Sequence, residues 1–194
     1  MRVFIAVIVL IFSLQSWTKA DDIRDFQIEG ISVGMSLLDF ANEEKVKLSK
    51  SYNQYPNDKF IIYDADKIVE IEKYDYLGVS VKKNDKKYIV TSVYGAIYYK
   101  KLDDCLKIKT SIEEEIEKLL KFDQKEPVKY ASQGDKTGES LVYGSQYYLK
   151  PYPSVESINI NCYHFSDKSG FKRNLKVSAN SEELANFLIN EAYK

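Results

Sequence analysis

Two short segments of the chain place pairs of tyrosines at strand spacing. Val93-Tyr94-Gly95-Ala96-Ile97-Tyr98-Tyr99 is echoed by Val142-Tyr143-Gly144-Ser145-Gln146-Tyr147-Tyr148. Alternate side chains of a strand share a face, so Tyr94 pairs with Tyr98, and Tyr143 with Tyr147. If both strands lie in one sheet, the four could form a binding face, because phenols offer apolar area and a hydrogen bond to a sugar or peptide. The alternatives are structural: cross-strand tyrosine pairing, or a duplicated subdomain, which the flanking residues do not support.

Cys162 and His164 lie two residues apart, the spacing that puts both side chains on one face of a strand. Such a pair could act as nucleophile and base, or as metal ligands. However, His164 is the only histidine, and Cys105 is the only other cysteine. In an oxidising compartment an isolated pair of cysteines usually forms a disulfide. We therefore predict a Cys105–Cys162 disulfide, no metal site and a packed or surface role for His164.

Clusters of acids are the remaining candidates for acid–base chemistry, and they lie at Glu43-Glu44, Asp64-Ala65-Asp66, Asp103-Asp104 and Glu113-Glu114-Glu115. On helices such acids are more often solvated or stabilised by the helix dipole, and the Asp-Ala-Asp segment lacks the rest of a calcium-binding loop. No phosphate-binding loop, nucleophile elbow, zinc-protease motif or Cys-x-x-Cys occurs. We predict no catalytic residue and no cofactor. The alternative is an envelope hydrolase whose acids converge only in the folded chain.

Residues 1–20 predict export. Arg2 precedes the apolar run Val3–Phe12, and Thr18-Lys19-Ala20 offers small residues to a signal peptidase. The run is shorter than the roughly 20 apolar residues that span a bilayer. We predict a signal peptide cleaved after Ala20, with an uncleaved N-terminal anchor as the alternative. No cysteine lies near this position, so the predicted product is periplasmic or secreted and not a lipoprotein.

Residues 21–194 are predicted to form a single globular domain. The whole chain has a net charge of −1, whereas a nucleic-acid-binding surface needs a strong basic bias. We therefore expect no nucleic-acid partner, and no membrane span after signal cleavage, because no second apolar segment is long enough. These features predict a non-enzymatic binding or accessory protein of the cell envelope. Its partner would be a protein, a peptide or a glycan.

Hydrophobic patterning predicts the elements that must position these residues. Alternation predicts strands over 25–29, 60–63, 68–73, 76–81, 87–99, 140–149, 157–165 and 171–177, and loops over 51–59 and 123–139. Apolar spacings of three and four predict a helix over 103–122. Capping patterns predict short helices after Ser36 and over 42–50, and a C-terminal helix capped by Asn180 with Glu183 reaching back. Strands without strict β–α–β alternation predict an α+β fold, an antiparallel sheet with a few helices packed on one face.

The segment after the predicted cleavage site carries a resemblance. Ile28-Glu29-Gly30-Ile31-Ser32-Val33-Gly34-Met35-Ser36-Leu37-Leu38-Asp39 resembles the start of a group of bacterial exported proteins that share Ile-Glu-Gly-x-Ser-x-Gly-x-Ser-Leu-Leu-Asp. The resemblance implies export but no activity. More remotely, Gly34-Met35-Ser36 is similar to the first-helix region of periplasmic two-layer domains of the outer-membrane-assembly lipoprotein and β-lactamase-inhibitor type. This chain lacks the lipidated cysteine of those lipoproteins, so their assembly function is not implied.

Overall fold

The structure is a computed structural model that describes residues 21–132, 135 and 137–193. The predicted signal peptide and its cleavage site lie outside the described residues. Within them, no helix combines the length and the apolar composition needed to cross a membrane.

A seven-stranded antiparallel sheet dominates the described chain, and it confirms the predicted α+β class. Its order is β3-β4-β5-β9-β8-β7-β6, and the strands are β3 (Phe60–Asp64), β4 (Tyr76–Lys82), β5 (Val90–Tyr98), β6 (Gln124–Ala131), β7 (Leu141–Tyr148), β8 (Ser157–His164) and β9 (Asn174–Asn180). A small hairpin of β1 (Gln27–Ile28) and β2 (Ile31–Ser32) precedes it. The central strand β9 pairs on one side with β8, which precedes it directly in the chain, and on the other with β5, which comes from a distant part of the chain. The middle of the sheet therefore depends on the non-local pairing of β5 with β9.

In the described part of the chain, three α-helices accompany the sheet: α1 (Glu43–Leu48), α2 (Leu102–Leu119) and α3 (Glu182–Asn190). Ser36 caps a single 3-10 turn, Leu37–Asp39, and Asp39 completes a capping box with it. The long helix α2 lies over β8 and β9, and the buried Cys105–Cys162 disulfide joins α2 to β8. The predicted disulfide is therefore confirmed.

The two faces of the sheet differ in chemistry because side chains alternate along each strand. The face under α2 is apolar, with Ile158, Ile160, Leu175, Val177 and Ala179 fully buried. The opposite face is polar over β8 and β9, where Asn159, Asn161, Lys176, Ser178 and Asn180 alternate with that core. Helix α3 closes one end of the polar face, with the rings of Phe187 and Phe60 4.9 Å apart.

Two segments differ from the sequence prediction. Residues 68–73 do not form a strand, because the backbone N–H groups of Ile68 and Val69 both donate to the Ala65 carbonyl in a local turn. Residues 124–131 were predicted as loop but form β6, which pairs along its whole length with β7. Pro127 and the charged residues of β6 are typical of an edge strand, where a missing N–H costs no ladder bond.

The cap of α3 also differs from the prediction, which assigned it to Asn180. Asn180 still pairs as part of β9 and accepts a 2.8 Å hydrogen bond from Ser92 Oγ. Ser181 is the N-cap instead, and its hydroxyl accepts from the Leu184 N–H at 3.3 Å. Glu183 does not reach back and pairs with Lys82 at 2.6 Å.

Ser181→Ala is expected to lower the free energy of unfolding by about 1 kcal/mol, because the hydroxyl that accepts the Leu184 N–H is lost. Ser181→Gly should lower it by only a few tenths, since glycine is an acceptable N-cap. Urea unfolding of the two variants measures the difference. Equal losses in both would contradict the assignment of Ser181 as the cap.

Candidate functional site

The structure separates the four tyrosines that the sequence offered as a binding face if both strands lay in one sheet. In the ladder, Tyr94 lies opposite Ser178, which lies opposite Asn159 of β8 and then Gln146 of β7. Directly opposed residues share a face, so Tyr94 and Tyr98 lie on the face of Gln146. Tyr143 and Tyr147 are separated from Gln146 by odd numbers of residues along β7. Their side chains therefore lie on the opposite face, which α2 covers. The two strands belong to one sheet, but their tyrosines do not form a common surface.

Tyr147 and Tyr143 have structural surroundings. Tyr147 is fully buried, packs edge-on against Phe122 with centroids 5.0 Å apart, and donates a 3.1 Å hydrogen bond to Glu117. The Lys125 ammonium lies 5.2 Å from the centroid of the Tyr147 ring and pairs with Glu117 at 2.8 Å. Tyr143 lies opposite Cys162 on this face, beside the disulfide. These contacts attach α2 to the β6–β7 edge.

The polar face carries a cavity of about 330 Å³. Strands β5, β9, β8 and β7 form its floor. Strand β6 lies at one side, and α3 with the C-terminal segment lies at the other. Five of its lining side chains are phenols: Tyr55, Tyr94, Tyr130, Tyr163 and Tyr193. Four are carboxamides: Gln146, Asn159, Asn161 and Asn180. The size lies at the lower end of the range of small-ligand pockets, about 300–1,000 Å³.

Lys176 of β9 is the one cation among the described residues that line this cavity. Its Nζ lies 4.1 Å from the centroid of the Tyr94 ring, which is a cation–π contact. Among the described residues, the ammonium makes no hydrogen bond and no ion pair, and no carboxylate lines the cavity. Enclosure by the protein removes water from the charged form and lowers the pKa of Lys176 to about 8.

Tyr94 is held in place by packing and hydrogen bonding. Its ring covers Gly78 of β4, where any side chain would overlap the ring, so glycine is required there. Its hydroxyl lies 3.4 Å from that of Tyr76, which donates a 2.7 Å hydrogen bond to Asp64. Burial raises the pKa of Tyr94 well above 10, so the phenol stays neutral. The ring under Lys176 is therefore a fixed, neutral platform.

The other residues singled out from the sequence lie away from this cavity. Cys162 is in the disulfide, and His164 stacks on Tyr99 with ring centroids 6.4 Å apart. Burial lowers the pKa of His164 below its ordinary value. Burial raises the pKa of Asp66, with a further contribution from Asp64. In the part of the chain that the structure describes, no three histidine, cysteine or acidic residues are grouped to hold a metal ion.

A second cavity of about 650 Å³ lies between α2 and the β1–β2 hairpin. Its lining is mainly apolar, with Phe26, Ile108 and Ile112 among it, and it also includes the acids Asp25, Glu29, Glu72 and Glu115. Within the described residues, none of the buried polar atoms that lack a hydrogen-bond partner belongs to this lining. The sheet-face cavity, with its unpaired ammonium, is therefore the stronger candidate for a functional site.

Sequence reasoning missed most of this site, although one signal was present. Ser157-Ile158-Asn159-Ile160-Asn161 alternates polar and apolar residues, so both carboxamides must share the face opposite the isoleucines. Lys176 shows the same pattern between Leu175 and Val177. What the sequence did not contain is the ladder that sets these two strands beside each other and beside Tyr94.

Comparisons of the chain with protein-family models, with curated proteins and with solved structures found no match.

Proposed function

We propose that this protein is an exported, non-enzymatic binding protein of the cell envelope whose sheet-face cavity holds the end of a glycan. The observation that carries the proposal is the lining of the cavity, five phenols and four carboxamides around one lysine. Phenol rings offer flat apolar surface to a sugar ring, and carboxamides offer both donors and acceptors to its hydroxyl groups.

The position of the cavity favours a glycan over a peptide. Peptides that bind sheets add as a strand at an exposed edge, where free backbone groups are available. The floor of this cavity lies on β5, β9, β8 and β7, whose backbones already pair with neighbours on both sides. Recognition at this place must therefore use side chains, which suits the hydroxyl groups of a sugar.

Binding without cleavage is the activity that this lining supports. Most glycoside hydrolases use two carboxylates flanking the scissile bond. The lining residues that the structure describes include no aspartate and no glutamate, and Asp64 is engaged by Tyr76 and by Lys67 at 2.7 Å.

The disulfide supports the proposed location. Cys105 and Cys162 are bonded across α2 and β8. Such bonds persist in the periplasm and outside the cell, and are rare in the cytosol of mesophiles. This agrees with the export expected from residues 1–20.

A glycan array probed with the purified, disulfide-bonded protein tests the proposal, and we expect retention on a restricted set of glycans. Tyr130→Ala should weaken that binding about tenfold, because it removes one lining ring, equivalent to about 1.4 kcal/mol. Tyr98→Ala is the matched control. Both tyrosines are 44% exposed on the same face, but Tyr98 does not line the cavity. Retention on no glycan, or equal losses in the two variants, would refute the proposal.

A further inference from the structure

Of the residues that the structure describes, Lys176 is the only charged one that lines the sheet-face cavity. The groups that face it from the surrounding elements are neutral. They are Tyr94 from β5, Asn159, Asn161 and Tyr163 from β8, and Gln146 from β7. The remaining titratable groups of the lining are all phenols. They belong to Tyr55 in the loop before β3, Tyr130 of β6 and Tyr193 near the C-terminus. The cavity thus presents one positive charge to a bound ligand.

Lys176 is half-buried, and a half-buried ammonium without a counter-ion is unfavourable, because the part of its hydration that is lost is not replaced. The contact with the Tyr94 ring replaces only part of the lost hydration, since it supplies a quadrupole and no acceptor oxygen. The three N–H donors of Lys176 remain available. An anionic oxygen in the cavity would satisfy both the charge and the donors.

The charge count limits the ligand further. One ammonium neutralises one negative charge, whereas a phosphate monoester carries close to two at neutral pH. A second negative charge would face the neutral phenols and carboxamides without a partner. A monoanion therefore matches the cavity best, and a carboxylate on a sugar ring combines that charge with the hydroxyl groups that the carboxamides can bind.

From this arrangement we infer that the glycan bound in the cavity carries a carboxylate, as a uronic acid does, and that the Lys176 ammonium pairs with it. The inference rests on the proposed function, because it concerns the same cavity. It adds the chemical class of the ligand and names the residue that selects it. Lys176 is assigned here as a specificity-determining residue.

The test compares matched glycans on wild type and two lysine variants. Each pair consists of a uronic-acid oligosaccharide and the same oligosaccharide after its carboxyl groups are reduced to alcohols, and titration calorimetry measures both. Wild type should bind the acidic member at least tenfold more tightly. Lys176→Met should remove this preference while keeping affinity for the neutral member within about threefold. Lys172→Met is the control, because Lys172 also lies over a tyrosine, 4.9 Å from the Tyr98 centroid, but outside the cavity.

The outcomes separate this inference from the proposed function. Equal affinity of wild type for both members of every pair would overturn the role of Lys176 and leave glycan binding standing. Preference for a sulfated sugar over the carboxylate would overturn the carboxylate assignment. A preference that survives in Lys176→Met would also overturn the inference. Binding of no glycan at all would remove the proposed function itself. Lys176→Gln, which keeps a polar side chain, should behave as Lys176→Met does if charge is the cause.

Discussion

Replacing Cys105 and Cys162 together by alanine is expected to lower the free energy of unfolding by about 4 kcal/mol. The bond closes a loop of 57 residues, and the chain-entropy model assigns a loop of this length about 4 kcal/mol. Both cysteines are fully buried between α2 and β8, so lost packing adds to this value. A domain's whole stability is only about 5–15 kcal/mol, so the loss would remove a large part of it.

Urea unfolding of wild type and the double variant measures this effect. Reduced wild-type protein is the matched control, because it keeps both sulfur atoms and lacks only the bond. The reduced protein should lie between oxidised wild type and the double alanine variant in stability. A loss below about 1 kcal/mol in both samples would contradict a structural role for this disulfide.

Lys176→Met is expected to raise the free energy of unfolding at pH 7 by about 1–3 kcal/mol. The upper bound lies somewhat below the full conversion of a pKa lowered from 10.5 to about 8, at about 1.4 kcal/mol per pKa unit, because the Lys176 side chain is only half-buried. The lower bound allows for the lost contact between the ammonium and the Tyr94 ring. Methionine is of similar length and can keep packing on that ring, so the variant removes charge more than volume.

The stability difference between Lys176→Met and wild type should shrink as the pH rises. The pKa of Lys176 is lower in the folded state, so between about pH 8 and pH 10.5 the unfolded chain holds the proton more often than the folded chain does. Wild-type stability therefore gains from this residue as the pH rises through that window, and the advantage of Lys176→Met disappears by about pH 10.5. The cavity tyrosines are common to both proteins, so the difference between the two profiles isolates Lys176.

Lys172→Met is again the control. Lys172 is exposed, and surface substitutions usually change stability by less than about 0.5 kcal/mol. A Lys176→Met variant that is less stable than wild type at pH 7 would mean that the ammonium stabilises the fold. That result would remove the energetic reason for expecting an anionic ligand. If the variant is more stable and also loses its preference for acidic glycans, then Lys176 lowers the stability of the wild-type protein and is needed for recognition of the ligand.

Much of the fold followed from local pattern. The spacing of apolar residues placed α2, the alternation placed five of the seven sheet strands close to their observed bounds, and Ser36 was identified as a cap. The strand at 124–131 was missed because its residues are polar and include Pro127. Such a strand exists because β7 offers a partner along its length, a contact that no local pattern encodes.

The amino-acid sequence by itself determined the α+β class and the pairing of Cys105 with Cys162, because these depend on residue periodicity and on having two cysteines in the chain. Tertiary structure alone decided which tyrosines meet. Register has a period of two, so the alignment of β7 with β8 and β9 sent Tyr143 and Tyr147 under α2 and left Tyr94 on the open face. The same register set Lys176 over Tyr94 among carboxamides from β7 and β8. The candidate site thus exists only in the folded sheet, because Tyr94 on β5 and Lys176 on β9 are distant in the chain and meet only through the pairing of those strands.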